Sequence, residues 1–83
     1  MDFEYKPKNV CSQRIFFTIE DNKVKDARFV GGCDGNLKGI CSLVDGMDVD
    51  TVIARLEGIH CGRKNTSCPD QFAEALKDAK TRL

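Results

Sequence analysis

Residues 11–30, CSQRIFFTIEDNKVKDARFV, decide the fold. In the first half Ile15, Phe17 and Ile19 recur at every second position, which sets them on one face of a strand. Asp21, Asn22 and Lys23 form a turn, and VKDARFV at 24–30 returns as a second strand, so the stretch reads as an antiparallel hairpin. Upstream, DFEYK at 2–6 alternates in the same way, with Phe3 and Tyr5 on one face. Pro7 ends that strand or confines it to a sheet edge, because it has no N–H to give to a ladder. Three antiparallel strands are therefore predicted.

Downstream of the hairpin the period changes from two to that of a helix. Gly31 and Gly32 allow a tight turn, and Leu37, Ile40, Cys41 and Val44 then fall at i, i+3, i+4 and i+7, so a helix starts just after Cys33 with Cys41 in its apolar stripe. Asp48 is placed to cap a second helix that turns Val49, Val52, Ile53 and Leu56 inward and stops at Gly58. A loop, IHCGRKNTS at 59–67, leads to the last helix. There Ser67 and Asp70 form the S-x-x-D pattern of a capping box, Pro69 suits the first turn, and Phe72, Leu76, Ala79 and Leu83 make the buried stripe. The order βββααα implies an α+β fold over one domain, residues 1–83: a three-stranded antiparallel sheet with three helices packed on one face.

A chain of 83 residues builds one small core, and at that size a metal or disulfide is a common staple. Basic and acidic residues balance at 13 each. With no basic stripe carrying aromatics, the composition argues against nucleic acid and anionic membrane as partners. No apolar run reaches the roughly 18 residues of a membrane span, and MDFEYKPK lacks the apolar centre of a signal peptide, so a cytoplasmic protein is expected. In that compartment thiols stay reduced, and clustered cysteines bind metal or react more often than they cross-link.

The five cysteines divide by position. Cys41 reads as a small core hydrophobe. The other four stand at element boundaries: Cys11 at the entry to a strand, Cys33 after two glycines, and Cys61 and Cys68 on either side of the loop before the last helix. Cys33 and Cys68 precede helices, whose unpaired N–H groups and positive dipole end favour thiolate over thiol. If the open end of the hairpin lies over the start of the first helix, Cys11 and Cys33 come together, since each sits at the outer end of one arm. If the loop of Cys61 and Cys68 lies beside them, four thiolates suit a closed zinc site or an iron-sulfur cluster. The competing reading is four unrelated boundary thiols, since no C-x2-C knuckle is present. Asp34 is a candidate extra ligand or supporting carboxylate, although helix capping accounts for it. His60, the sole histidine, is an alternative ligand, but neighbouring side chains in an extended loop diverge. Gly31, Gly32 and Gly35 could cradle an anion, yet no Walker-type lysine follows and turn chemistry explains them.

The run from GGCDGN through GIHC at 58–61 to Thr66-Ser67-Cys68-Pro69-Asp70, with Cys11 ahead of it, resembles the TSCPD domain family, and the likeness spans Tyr5 to Leu76. The chain is similar to the small stand-alone form. The other form is a C-terminal module of adenosylcobalamin-dependent ribonucleotide reductases. That resemblance implies an accessory role in deoxyribonucleotide synthesis, with a ribonucleotide reductase subunit as partner. It does not imply a complete reductase, because the barrel, radical cysteine and cobalamin site cannot fit in this length. A more distant likeness is to the U-type iron-sulfur scaffold proteins, through a Cys leading into a strand, Asp26-Ala27-Arg28-Phe29 in the hairpin, and Gly32-Cys33 at a helix start. By that likeness Cys11, Cys33 and Cys68 are scaffold ligands, although Gln13 stands where the scaffolds have an aspartate.

The leading expectation is a non-catalytic domain with Cys11, Cys33, Cys61 and Cys68 as ligands, zinc being favoured over an iron-sulfur cluster. An iron-sulfur assembly scaffold or carrier is the alternative, and a thiol enzyme acting through Cys33 or Cys68 is a third. A homodimer sharing one site is left open.

Overall fold

A computed structural model describes residues 1–32 and 34–83, Asp34 by its backbone alone. Among them three strands, β1 (Asp2–Tyr5), β2 (Ser12–Glu20) and β3 (Lys23–Gly31), precede three helices, α1 (Asp34–Val44), α2 (Val49–Leu56) and α3 (Cys68–Lys80). The fold is α+β, with β2 central in an antiparallel sheet of order β1-β2-β3. No helix among the described residues is long and apolar enough to cross a membrane.

The hairpin turns on two residues. Asp21 and Asn22 both take positive φ, 52° and 61°, and Glu20 pairs with Lys23. Two left-handed residues in succession give the turn whose twist matches its strands, and Asn and Asp tolerate that conformation best after glycine. The tip is then fastened to the connection between α1 and α2. Val24 N–H donates to Met47 O at 2.9 Å, Gly46 N–H to Val24 O at 2.7 Å and Val49 N–H to Asn22 O at 2.8 Å.

Two irregularities set which side chains face inward. In β3 the inward residues are Val24, Ala27 and Phe29, a spacing that strict alternation forbids. The register shifts between Thr18↔Lys25 and Phe16↔Arg28, and Asp26, at φ 53°, is the extra residue that restores the apolar face. Its amide is not orphaned, since it donates to Asp45 Oδ1 at 3.0 Å. A second shift, between Ser12↔Gly31 and Arg14↔Val30, lies at the open end of the hairpin.

Ile15, Phe17, Ile19 and Val24 from the sheet form one core with Val44, Val49, Val52, Phe72, Leu76 and Ala79 from the helices. Phe72 is fully buried and meets Phe17 and Phe29 edge-on, with ring centroids 5.8 and 5.7 Å away. That geometry sets a positive ring edge against a negative face. The opposite face of the sheet is polar and half-exposed, with Arg14 paired to Glu4 and Arg28 lying 4.5 Å over the ring of Phe16.

Asp48 caps α2, its Oδ2 accepting from the amides of Asp50 and Thr51, and Gly58, at φ 81°, follows the helix in the left-handed conformation that stops it. Two expectations need correction. Leu83 is 62% exposed rather than part of the α3 stripe, because the helix ends at Lys80 with Thr81 as its cap, beyond the reach of the core. Cys41 is half-buried and outside the core cluster. It faces the seam between β3 and α1, beside Phe29, Lys38 and Asp45, and burial raises its thiol pKa.

Candidate functional site

The open end of the hairpin is where the chemistry-bearing residues gather. The bulge at Gln13 reverses the parity of β2, so Ser12 points inward and is only 4% exposed although Ile15 is inward too. Cys11 remains exposed just outside the strand. Across from it Gly31 and Gly32 both have φ 80°. A Cβ on Gly32 would lie 3.0 Å from Leu37 Cδ1 and 3.3 Å from both Cys11 Sγ and Ser12 N. Glycine is required here on two grounds, backbone conformation and space.

Cys68 opens α3 and is 9% exposed, with its Sγ 3.3 Å from Ser12 Oγ, within hydrogen-bond reach whichever group donates. Ser67 is the N-cap, accepting from Asp70 N–H at 3.1 Å, and Pro69 occupies the first turn. The Ser67 hydroxyl also donates to Ile59 O at 2.5 Å. The carboxylate of Asp70 does not return to the Ser67 amide as a reciprocal box would have it. It accepts instead from Gly58 N–H at 2.7 Å and Thr66 Oγ1 at 2.5 Å. The Thr66 hydroxyl and the Gly58 amide hold that carboxyl below its ordinary pKa, with smaller help from the charges of His60 and Lys77.

The same bonds shape the loop before α3. Cys61 N–H donates to Thr66 O and Lys64 N–H to Cys61 O, both at 3.0 Å, so the loop folds back on itself around Gly62 at φ 60°. Cys61 and His60 are exposed.

Cys11, Cys61 and Cys68 line one groove of about 510 Å³, on a largely apolar floor of Leu37, Ile40 and Pro69. Three thiols from three separate segments thus share one depression. They do not converge on a point: among the described residues no three His, Cys, Asp or Glu side chains lie close enough together to hold a metal ion. Cys33 lies outside the described residues, as does the side chain of Asp34. Cys41 belongs to a different surface, the β3–α1 seam.

Two residues at this end were not singled out from the sequence. Ser12 touches the Cys68 sulfur, and its inward turn depends on a bulge that alternation alone hides. Gln71 is 8% exposed and hydrogen-bonded through both its oxygen and its nitrogen. A glutamine at a position helical spacing puts on the same side as Cys68 was the available signal.

Chemically the groove offers soft sulfur donors over an apolar floor, and such donors suit thiophilic metals. The model of the TSCPD domain matches residues 3–80, nearly the whole chain. No curated protein and no solved structure gives a significant match. With the sequence motif at the start of α3 and a match of that extent, the chain belongs to the TSCPD domain family.

Proposed function

We propose that this domain binds a thiophilic metal ion, zinc by preference, through Cys11, Cys33, Cys61 and Cys68, and that it acts as an accessory module in ribonucleotide reduction rather than as a reductase. The observation that carries the metal reading is the shared groove: three of the four thiols line one largely apolar depression, with Cys11 brought to Cys61 and Cys68 from the far side of the sequence. The donor set fits. Sulfur ligands suit zinc, and four of them would make a closed site whose binding energy adds to the stability of a small core. The loop is fastened at Gly58, Ile59, Cys61 and Thr66 through their backbones or side chains, while the Cys61 residue itself is exposed beside the groove. A zinc so held supplies cross-linking, not redox chemistry. The link to ribonucleotide reduction is supported by family kinship with the reductase module, and it implies docking on a reductase subunit.

A second reading has its own support. The same sulfur donors over a largely apolar floor also suit an iron-sulfur cluster, and hence a carrier role. Metal analysis and an absorption spectrum of anaerobically purified protein separate the readings. Stoichiometric zinc in a colourless protein supports the first, and a brown protein with iron and sulfide supports the second. Thiols without metal point to a thiol enzyme. Under the metal reading Cys11→Ser, Cys33→Ser, Cys61→Ser and Cys68→Ser each lose metal and Cys41→Ala keeps it. Equal loss in Cys41→Ala refutes the assignment. Mixing the domain with a reductase of the same cell and following deoxynucleotide formation and co-purification tests the accessory role, which falls if neither binding nor rate changes.

A further inference from the structure

The two residues that follow the TSCPD cysteine and its proline tie together all the described segments that carry groove thiols. Gln71 Oε1 accepts from Lys8 N–H at 3.0 Å, across 63 positions of sequence, and Lys8 leads through Asn9 and Val10 to Cys11. Gln71 Nε2 donates to Thr66 Oγ1 at 3.0 Å, and Thr66 O accepts from Cys61 N–H. Asp70 completes the set through Thr66 Oγ1 and Gly58 N–H. Both residues stand on α3, which Cys68 opens.

The sense of these bonds is fixed by chemistry. Lys8 N–H can only donate, so the Gln71 oxygen must face it. The Asp70 carboxylate can only accept, so Thr66 spends its proton there and must accept from the Gln71 nitrogen. A relay with one direction, Gln71 N–H to Thr66 O–H to carboxylate, requires an amide at 71 and an acid at 70. Apolar packing requires neither.

We infer that Gln71 and Asp70 are positioning residues, through which α3 sets the placement of the Cys11 segment and the Cys61 loop relative to Cys68. The inference rests on the metal reading for its purpose and on the hydrogen bonds for its geometry. Glutamate at 71 keeps an acceptor for Lys8 but has no proton for Thr66. Leucine at 71 has neither. Asparagine at 70 has one acceptor where two donors call.

The test uses the full chain. Amide hydrogen exchange is followed residue by residue in the metal-free protein, and Co²⁺ is titrated as a probe of the thiolates by its sulfur charge-transfer absorption. Gln71→Leu is expected to speed exchange at Lys8 and Cys61 about tenfold or more while the β2 core amides keep wild-type rates. Gln71→Glu is expected to spare Lys8 and speed Cys61, and Asp70→Asn to speed Gly58. Each variant should bind Co²⁺ about 10- to 100-fold more weakly, the range seen when a group that orients a ligand is removed. Unchanged exchange at Lys8 in Gln71→Leu, or unchanged Co²⁺ affinity against a wild type that binds, overturns the inference. If Gln71→Leu does not fold, the split between Lys8 and Cys61 in Gln71→Glu decides. Wild-type protein that takes up no Co²⁺ refutes the metal reading instead, and the exchange pattern then still confirms or refutes the tether.

Discussion

Replacing Gly32 by alanine tests how tightly the two strands close at the thiol end. Two costs add. An L-residue at φ 80° loses about 1–2 kcal/mol to the clash of its Cβ with the backbone. The new methyl would also stand 3.0 Å from Leu37 Cδ1 and 3.3 Å from Cys11 Sγ and Ser12 N. Leu37 Cδ1 and Cys11 Sγ end side chains and can shift, whereas Ser12 N belongs to the bulge backbone, so overpacking adds about 1–3 kcal/mol. Gly46 provides the control. It has φ 81° and nothing within 4 Å of a built Cβ, so Gly46→Ala carries the conformational cost alone. That cost is partly offset by about 0.4–1 kcal/mol of lost freedom in the unfolded chain, an offset common to both variants. An 83-residue domain has a total stability of about 4–12 kcal/mol, so both variants should fold and be measurable. In urea, with a slope near 1 kcal/mol per molar, the midpoint of Gly32→Ala should lie about 1 M or more below that of Gly46→Ala. Alkylation of Cys11 should change in the first variant only. Coincident midpoints would show that the strands do not approach as closely as described.

Other perturbations have similarly definite outcomes. Phe72→Ala removes the ring that joins Phe17 and Phe29 and should cost about 3–5 kcal/mol in denaturant, a loss under about 2 being incompatible with its place in the core. Ser67→Ala forfeits both the cap of α3 and the anchor on Ile59 O, so the loss should reach about 1–3 kcal/mol without abolishing metal uptake, and full stability would mean another residue caps the helix. Asp50 is held below its ordinary pKa of 3.8, first by its hydrogen bond from Lys80 and then by that from Asn22. A carboxylate with a depressed folded value adds stability above its unfolded pKa, and that part is lost as pH falls through the folded one. Stability curves of wild type and Asp50→Asn should therefore differ at neutral pH and draw together as the pH falls below the ordinary carboxylate range. Parallel curves throughout would remove Asp50 from the account.

The regular parts of the fold were legible because local chemistry and tertiary demand agree there. Ile15, Phe17 and Ile19 alternate and are buried, Asp48 and Ser67 look like caps and bond as caps, and Gly58 takes the left-handed turn. The irregular parts escaped for a physical reason. A bulge changes parity by one residue and costs little locally, so nothing in Asp26 or Gln13 advertises it beyond the odd spacing of inward residues around them. The grouping of Cys11, Cys61 and Cys68 depends on the second bulge and on long-range bonds from Asp70 and Gln71, which no window of sequence contains. Leu83 failed in the opposite way. Its phase was right, but phase counts only while there is core to meet.

The hairpin is closed at its two ends by partners that arrive at different times. The tip needs only residues 46–49, whereas the thiol end needs Cys68 and Gln71, from the last helix. Loop-closure entropy grows slowly with length, so the longer closure costs only about 1 kcal/mol more. The order in which the chain leaves the ribosome matters more, since a domain folds as a unit. A nascent chain therefore cannot bury the core that Phe72 and Leu76 complete until α3 is made, and for that interval Cys11 stands without Cys68. Oxidants or stray metal reaching the protein during synthesis would meet a solitary sulfur, and the groove comes into being only when the final helix docks.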